Sequence, residues 1–147
     1  MVDASTWWPL KKHRSVAAVL LLALAGCGGP TAEVPPEILL GADTCDYCRM
    51  VISETRHAAA ARGQALEARF DDPGCLQQYL GERRGQPLEA WVHDEEGRWQ
   101  LARETWLVRD PQLRTPMASG ILAFSSRAAA EEAEVRLGGE VLRWPDL

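Results

Sequence analysis

The sequence predicts an α+β domain made of two ββαβ-type units that share one hydrophobic core. Two segments with the same order of features support this prediction: a strand ending in Phe, a polar helix cap, a helix that stops at Gly, and another strand. A shift of 54 residues places Phe70 on Phe124, Gly85 on Gly139 and Leu88 on Leu142. Neither segment has enough apolar residues to bury a core alone, so we expect the two to share one.

In the first segment, the clearest elements are a strand and the helix that follows it. Leu66–Phe70 alternates apolar and charged side chains, which is typical of a half-buried strand. Asp72 and Pro73 fit the N-cap and first position of a helix that stops at Gly85. Further strands are predicted at 50–53, 57–61, 89–93 and 98–101.

The second segment repeats this order of strand, polar cap, helix and glycine. Ser125 and Ser126 begin a helix that runs through Leu137 and ends at the glycine pair that follows. Its predicted apolar face consists of Ala129, Ala130, Ala133 and Leu137. Strands are predicted at 106–109, 121–124 and 141–144.

Residues 1–26 have the organisation of a bacterial lipoprotein signal peptide. Basic residues at 11–14 precede ten apolar residues, 16–25, which are too few to span a bilayer. The Leu-Ala-Gly-Cys sequence at 24–27 resembles a lipobox, in which Cys27 is the acceptor for a diacylglyceryl group. We therefore expect a signal peptide over 1–26, a flexible lipid-anchored linker over 27–40, rich in Gly and Pro, and a folded domain over 41–147.

These features predict a cell-envelope protein that is anchored by lipid and faces the periplasm. Acyl chains on Cys27 would supply the membrane affinity without a polypeptide span. Gly28 is not the Asp that usually retains a lipoprotein at the inner membrane, which favours the outer membrane. The net charge of −5 argues against nucleic acid as a partner, because phosphate binding needs a basic face.

The sequence after Cys27 contains a few ligands for a soft metal ion. An odd number of thiols in an exported chain cannot all form disulfides within a monomer. The sulfur donors are Cys45, Cys48, Cys75, Met50 and Met117, with His57 and His93 as borderline nitrogen donors.

The Cys-x-x-Cys motif at 45–48 allows several interpretations. A c-type haem site would need His where Arg49 stands, and a closed zinc site would need a second pair of ligands. A thioredoxin-like redox site, with the motif at a helix start, stays open, as does a structural disulfide between Cys45 and Cys48. We interpret Cys75, near the third position of the predicted helix, as a buried structural cysteine.

A Cu(I) site is the remaining interpretation, because thiolate and thioether sulfur select this ion. Cys48 and Met50 are two residues apart, so on an extended strand both side chains would lie on one face. Met117, in a loop restricted by Pro116, is the best candidate for a third donor. Cys45 and His57 are the alternative donors.

Four motifs in order resemble the NosL family of copper-binding lipoproteins, which are encoded with nitrous oxide reductase. They are Cys-x-x-Cys-x-Met at 45–50, Phe-Asp-Asp-x-Gly-Cys at 70–75, Trp-Val-x-Asp at 91–94, and Pro-Met-x-Ser-Gly-Ile-x-Ala-Phe at 116–124. The family's metal-binding motifs fall on Cys48, Met50 and Met117, which become the predicted ligands. Ala118 stands where Gly is common in the family.

The resemblance implies a copper chaperone and not an enzyme. It implies one bound Cu(I), partners that donate or accept copper, among them nitrous oxide reductase, and a fold similar to that of organomercurial lyase. Two alternatives stay open. One is a thiol–disulfide oxidoreductase that uses Cys45 and Cys48 to assist metallation, and the other is a structural lipoprotein stapled by a disulfide between them.

Overall fold

The computed structural model describes residues 34–147, so the predicted signal peptide and Cys27 lie outside the described residues. The first unit consists of β1 (Ala59–Gly63), β2 (Leu66–Phe70), α1 (Pro73–Glu82), β3 (Glu89–His93) and β4 (Trp99–Leu101). The second unit consists of β5 (Trp106–Arg109), β6 (Ile121–Phe124), α2 (Arg127–Leu137) and β7 (Glu140–Arg143). The predicted α+β class is confirmed.

Both units have the same strand topology. The first sheet has the order β2-β1-β3-β4 and the second has the order β6-β5-β7, so the first strand of each unit lies between its second and third strands. All pairings are antiparallel, and the helix connects the second strand to the third. Phe70 pairs with Ala59 and Phe124 pairs with Trp106, which places each Phe opposite the first residue of its neighbouring strand.

The predicted alignment of Leu88 with Leu142 is wrong. Leu88 precedes β3, whereas Leu142 lies inside β7 and pairs with Leu107. The physical reason is the connection after each helix, which spans 83–88 in the first unit and only 138–139 in the second. The two units therefore match from the second strand through the helix start and diverge beyond the helix end.

Both helices begin at the residues that the sequence predicts. Asp72 is the N-cap of α1, and its Oδ1 accepts a hydrogen bond from Gly74 N at 2.6 Å. Ser126 is the N-cap of α2, and its Oγ accepts from Ala129 N at 3.2 Å. These bonds satisfy backbone donors that have no partner within the helix. Helix α1 ends at Glu82, before the predicted stop at Gly85.

Two predicted strands form only in part. The segment 50–53 contributes one isolated bridge, between Val51 and Thr44, instead of a strand. The segment 57–61 begins as a 3-10 turn over Thr55–His57, and β1 starts at Ala59. The last strand is shifted by one residue, to Glu140–Arg143.

The main core contains residues from both units, as the sequence predicts. Phe70 and Leu76 of the first unit lie in one buried cluster with Leu107 and Ile121 of the second. Full burial of such side chains contributes about 1.5–3 kcal/mol each. A second, smaller cluster lies beneath α2 and contains Val108, Leu122, Phe124, Ala130 and Ala133.

Strand β6 joins these two clusters because both of its faces are buried. Ile121 and Ala123 belong to the shared core, and Leu122 and Phe124 belong to the cluster under α2. This alternation follows from the two-residue period of a strand. The core is therefore shared, with a satellite cluster that the sequence analysis did not predict.

The last part of the predicted linker, 27–40, packs against the folded domain. Pro36 is fully buried, Ile38 packs against the main core, and Glu37 O accepts a hydrogen bond from Arg69 Nε at 2.6 Å. The packed part of the domain thus begins before residue 41. No helix within 34–147 is long and apolar enough to cross a membrane.

The burial of two histidines predicts that the folded domain is less stable in mild acid than at neutral pH. Burial lowers the pKa of His57 and of His93, so the unfolded chain binds protons that the folded chain does not. The free energy of unfolding should therefore decrease as the pH falls through about 6.5, the ordinary histidine value. Urea unfolding at about pH 7.5 and about pH 5.5 measures this decrease.

The variant His93→Gln should reduce this pH dependence, because it removes one of the two titrating groups. His57→Gln tests the other group independently. An unchanged difference in unfolding free energy in both variants would contradict the assignment.

Candidate metal site

The Cys-x-x-Cys motif lies in a tight hairpin that spans 43–52. Cys45 N donates to Met50 O at 2.7 Å, and Arg49 N donates to Cys45 O at 3.0 Å. Arg49 has a φ of 69°, a left-handed conformation that is uncommon for a residue with a side chain. Because Cys48 lies at the end of a turn and no helix follows it, this geometry differs from that of a thioredoxin-like redox site.

Asp46 attaches this hairpin to the edge of the first sheet. Its backbone N donates to Arg69 O at 2.8 Å, and its Oδ2 accepts from Arg69 N at 2.8 Å. Strand β2 ends one residue later at Phe70, where Asp71 and Asp72 begin the connection to α1. The two hydrogen bonds therefore place the cysteine turn beside the junction between β2 and α1.

Three thiols and one carboxylate meet at this junction. One donor atom from each of Cys45, Cys48, Asp71 and Cys75 lies within 4.8 Å of the others. Cys48 Sγ donates to Asp71 Oδ1 at 3.3 Å. Asp71 Oδ2 is buried and has no hydrogen-bond partner in the structure. An unsatisfied buried carboxylate oxygen is costly, so this atom suits a cationic ligand.

The cluster is buried on one side and open on the other. Cys45 is 0% exposed and Cys75 is 3% exposed, whereas Cys48 is partly exposed. Burial raises the pKa of Cys45 to about 11. Burial and the neighbouring Cys45 and Asp71 also raise the pKa of Cys75. All three are free thiols in this structure, so the structural disulfide is not formed here.

Met117 lies in a loop that packs against the start of α1. Asp72 Oδ2 accepts a hydrogen bond from Met117 N at 3.0 Å. Ala118 has a φ of 54°, a conformation that glycine adopts at lower cost. Met117, Cys75 and Tyr47 line one cleft of about 330 Å³. The structure therefore brings the predicted donor Met117 to the same cleft as Cys75.

Met50 lies in the hairpin but not on a strand. The left-handed Arg49 interrupts the extended segment on which the sequence predicts Cys48 and Met50 to share a face, so that prediction is wrong in its geometry. The Met50 side chain is 50% exposed, and Met117 is 39% exposed. Both methionines are thus accessible to solvent, and their role as ligands stays a prediction.

His57 lies outside the four-residue cluster. It is buried at the end of the 3-10 turn, where its Nε2 lies 3.1 Å from Arg56 Nε and 3.6 Å from Glu54 Oε2. The structure therefore groups Cys48 with the alternative donor Cys45 and does not group either with His57.

The sequence analysis missed two members of the cluster. Cys75 was interpreted as a structural cysteine, and it is indeed buried, but it lies among the candidate donors. Asp71 was not considered as a ligand. The spacing of Asp71 and Cys75 in the sequence could have indicated both residues, because they are four residues apart across the predicted helix start.

Comparisons with known proteins agree with this architecture. The family model described as NosL matches residues 36–147. The chain belongs to the NosL family. The crystal structure of the copper chaperone NosL from Shewanella denitrificans matches this NosL protein with a TM-score of 0.66 and 20% sequence identity, over 76% of this chain and 94% of that chain. At this identity, the likeness shows the fold. No curated protein matches this chain.

The difference in exposure predicts an order of thiol reactivity. In the reduced, metal-free protein, iodoacetamide should modify Cys48 before Cys45 and Cys75, because only the partly exposed thiol can meet the reagent without local opening. Mass spectrometry of the peptides measures the three rates. In urea the rates should converge, and equal rates in the folded protein would contradict the described burial.

Proposed function

We propose that this NosL-family protein binds one Cu(I) ion and passes it to a copper-requiring partner, as a chaperone and not as an enzyme. The observation that carries the proposal is the cluster of three thiols and one carboxylate, whose donor atoms lie within 4.8 Å of one another. The similar fold of the copper chaperone from Shewanella denitrificans supports it.

The donor chemistry favours a soft monovalent ion. Thiolates bind both Zn²⁺ and Cu(I), but thioethers favour Cu(I). Two exposed methionines supply thioethers: Met50 lies in the cysteine hairpin, and Met117 lines the same cleft as Cys75. The buried, unpaired Asp71 Oδ2 adds negative charge that a cation would neutralise.

We assign Cys48, Met50 and Met117 as the ligands that exchange copper with a partner. Cys48 is the one thiol of the cluster with exposed surface, and unbranched methionine side chains can reorient at low cost. Cys45 and Cys75 lie behind Cys48 on the buried side. They would hold the ion from within while the outer ligands are replaced.

Transfer would then proceed by stepwise ligand exchange. A first sulfur ligand of the partner would bind the ion from the exposed side and displace one thioether. Further partner ligands would then displace Cys48 and the inner thiols in turn. Because Cu(I) accepts both thiolate and thioether sulfur, each step exchanges one sulfur ligand for another. The balance is one ligand gained for each ligand lost, without a change in oxidation state.

We further propose that Cys27 carries a lipid anchor and that the domain faces the periplasm. The anchor in this proposal lies in the outer membrane. Six residues lie between Cys27 and Val34, where the described domain begins, so a fully extended tether would reach at most about 25 Å. Such a tether raises the local concentration of the site near membrane-associated partners. The copper acceptor in this proposal is nitrous oxide reductase, as the family resemblance implies.

Copper affinity in matched variants tests the assigned ligands. Cys48→Ser should weaken Cu(I) binding by at least about tenfold, equivalent to about 1.4 kcal/mol, because a thiolate is replaced by a hard hydroxyl. Met117→Leu should weaken it in the same direction while preserving the volume of the side chain. Anaerobic competition with a Cu(I) chelator measures both affinities.

Cys27→Ser is the matched control, since it makes the same substitution outside the cluster and should leave the affinity unchanged. Zinc titration adds a second control, because Met117→Leu should leave Zn²⁺ binding unaffected. Wild-type Cu(I) affinity in both Cys48→Ser and Met117→Leu would remove the proposed ligands.

The same Cys27→Ser variant tests the anchor in cells. Loss of the acyl acceptor should move the protein from the membrane fraction to the soluble periplasmic fraction or leave it unprocessed, because no other segment supplies stable membrane affinity in the proposal. Immunoblots of separated fractions measure this. A variant that stays in the membrane at the processed size would contradict the anchor.

A further inference from the structure

Asp72 is a fully buried carboxylate that lies between two segments of the candidate site. Its Oδ1 accepts from Gly74 N at 2.6 Å, at the start of the helix that contains Cys75. Its Oδ2 accepts from Met117 N at 3.0 Å, in the loop between β5 and β6. One side chain therefore connects a thiol-bearing helix with a thioether-bearing loop.

The contact between these two segments is close. Gly74 lies against the loop, and a Cβ added at Gly74 would be 2.4 Å from Ser119 Cβ. Real Cβ atoms do not approach one another this closely, so a larger residue would push the loop away. The Met117 loop thus depends on Gly74 for its approach and on Asp72 for its hydrogen bond.

The loop has internal hydrogen bonds that maintain its shape but do not attach it to α1. Ala118 N donates to Thr115 O at 3.0 Å, and Gly120 N donates to Thr115 Oγ1 at 3.2 Å. A loop that keeps its own shape can move as a unit when its external attachment is removed. The bond from Met117 N to Asp72 Oδ2 is therefore the polar contact that attaches Met117 itself to the start of α1.

We propose that Asp72 is a positioning residue that keeps the Met117 thioether in the cleft beside Cys75, ready to bind Cu(I). This inference rests on the proposed function, in which Met117 is a copper ligand. Asp72 does not contact the metal in this proposal. Its neighbour Asp71 points to Cys48 instead, so the two adjacent carboxylates have separate roles.

The variant Asp72→Asn separates positioning from helix capping. Asn caps helices about as well as Asp, so its amide oxygen can still accept from Gly74 N. Its amide NH₂ group cannot accept from Met117 N, so the loop attachment is lost. Ser126→Ala is the matched control, because Ser126 has the same capping position in the second unit and its Oγ bonds to α2.

The experiment follows the methyl groups of Met50 and Met117 by NMR. The whole reduced chain, labelled with ¹³C at the methionine methyls and kept in detergent, is assigned with Met50→Leu and Met117→Leu. Without metal, wild type and Ser126→Ala should show contacts between the Met117 methyl and the Tyr47 ring or Cys75, since the three residues line one cleft. Asp72→Asn should lose these contacts, and their persistence would overturn the inference.

Addition of Cu(I) gives the second readout. Wild type and Ser126→Ala should show shifts of both methyl resonances, whereas Asp72→Asn should keep the Met50 shift and lose the Met117 shift. A simple charge effect would change both resonances, and a general loss of stability would also affect Ser126→Ala. Equal Met117 shifts in wild type and Asp72→Asn would contradict the inference.

A double-mutant cycle makes the coupling quantitative. Asp72→Asn should weaken Cu(I) binding by about tenfold in the wild-type background and by much less in the Met117→Leu background. Equal losses in the two backgrounds would contradict positioning through Met117. If Asp72→Asn does not fold, Asp72→Ser tests the same bond, because one hydroxyl can cap Gly74 N but offers no second oxygen to Met117 N. Persistence of the methyl contacts in that variant would overturn the inference.

Failure of the proposed function is distinguishable from failure of this inference. If Cu(I) shifts neither methyl group in the wild-type protein, the thioether ligands are wrong. The metal-free contacts would then still decide whether Asp72 positions Met117.

Discussion

The junction between β2 and α1 is the constraint on which the candidate site depends. Asp72 has an extended backbone, with φ −155° and ψ 138°, and successive side chains of an extended segment point in opposite directions. Asp71 consequently meets the cysteine turn while Asp72 meets the helix start and the Met117 loop. A strand that runs directly into a capped helix therefore organises three separate segments of the chain around one point.

The internal repeat explains why only one of the two junctions forms such a site. In the second unit, Ser125 and Ser126 occupy the positions of the two aspartates, and Ser126 caps α2 in the same way that Asp72 caps α1. Helix α2 covers an alanine-rich satellite cluster, and the cysteine hairpin lies at the edge of the first sheet instead. Both units therefore have the same junction between a strand and a capped helix. The candidate ligands, a carboxylate and three thiols, meet at the junction of the first unit.

Local signals made the repeat predictable, whereas tertiary contacts determined the site. Strand β2 and the two helix caps were predicted correctly because alternation and N-cap chemistry act over a few residues. The hairpin at 43–52 could not be predicted as a turn, since its left-handed Arg49 has no glycine to mark it. Cys75 joins Cys45 only because the Asp46–Arg69 hydrogen bonds bring distant segments together, and no spacing rule reports such a contact.

The sulfur-bearing residues of the candidate site differ in their exposure to solvent, from buried to exposed. Cys45 and Cys75 are buried, Cys48 is partly exposed, and the residues Met50 and Met117 are exposed. Thiolates bind Cu(I) more strongly than neutral thioethers because they carry the charge, so the weaker ligands lie where a partner arrives. Under the proposed function, this order would let an incoming sulfur replace a weak outer ligand first, while the inner thiols keep the ion from escaping into solvent.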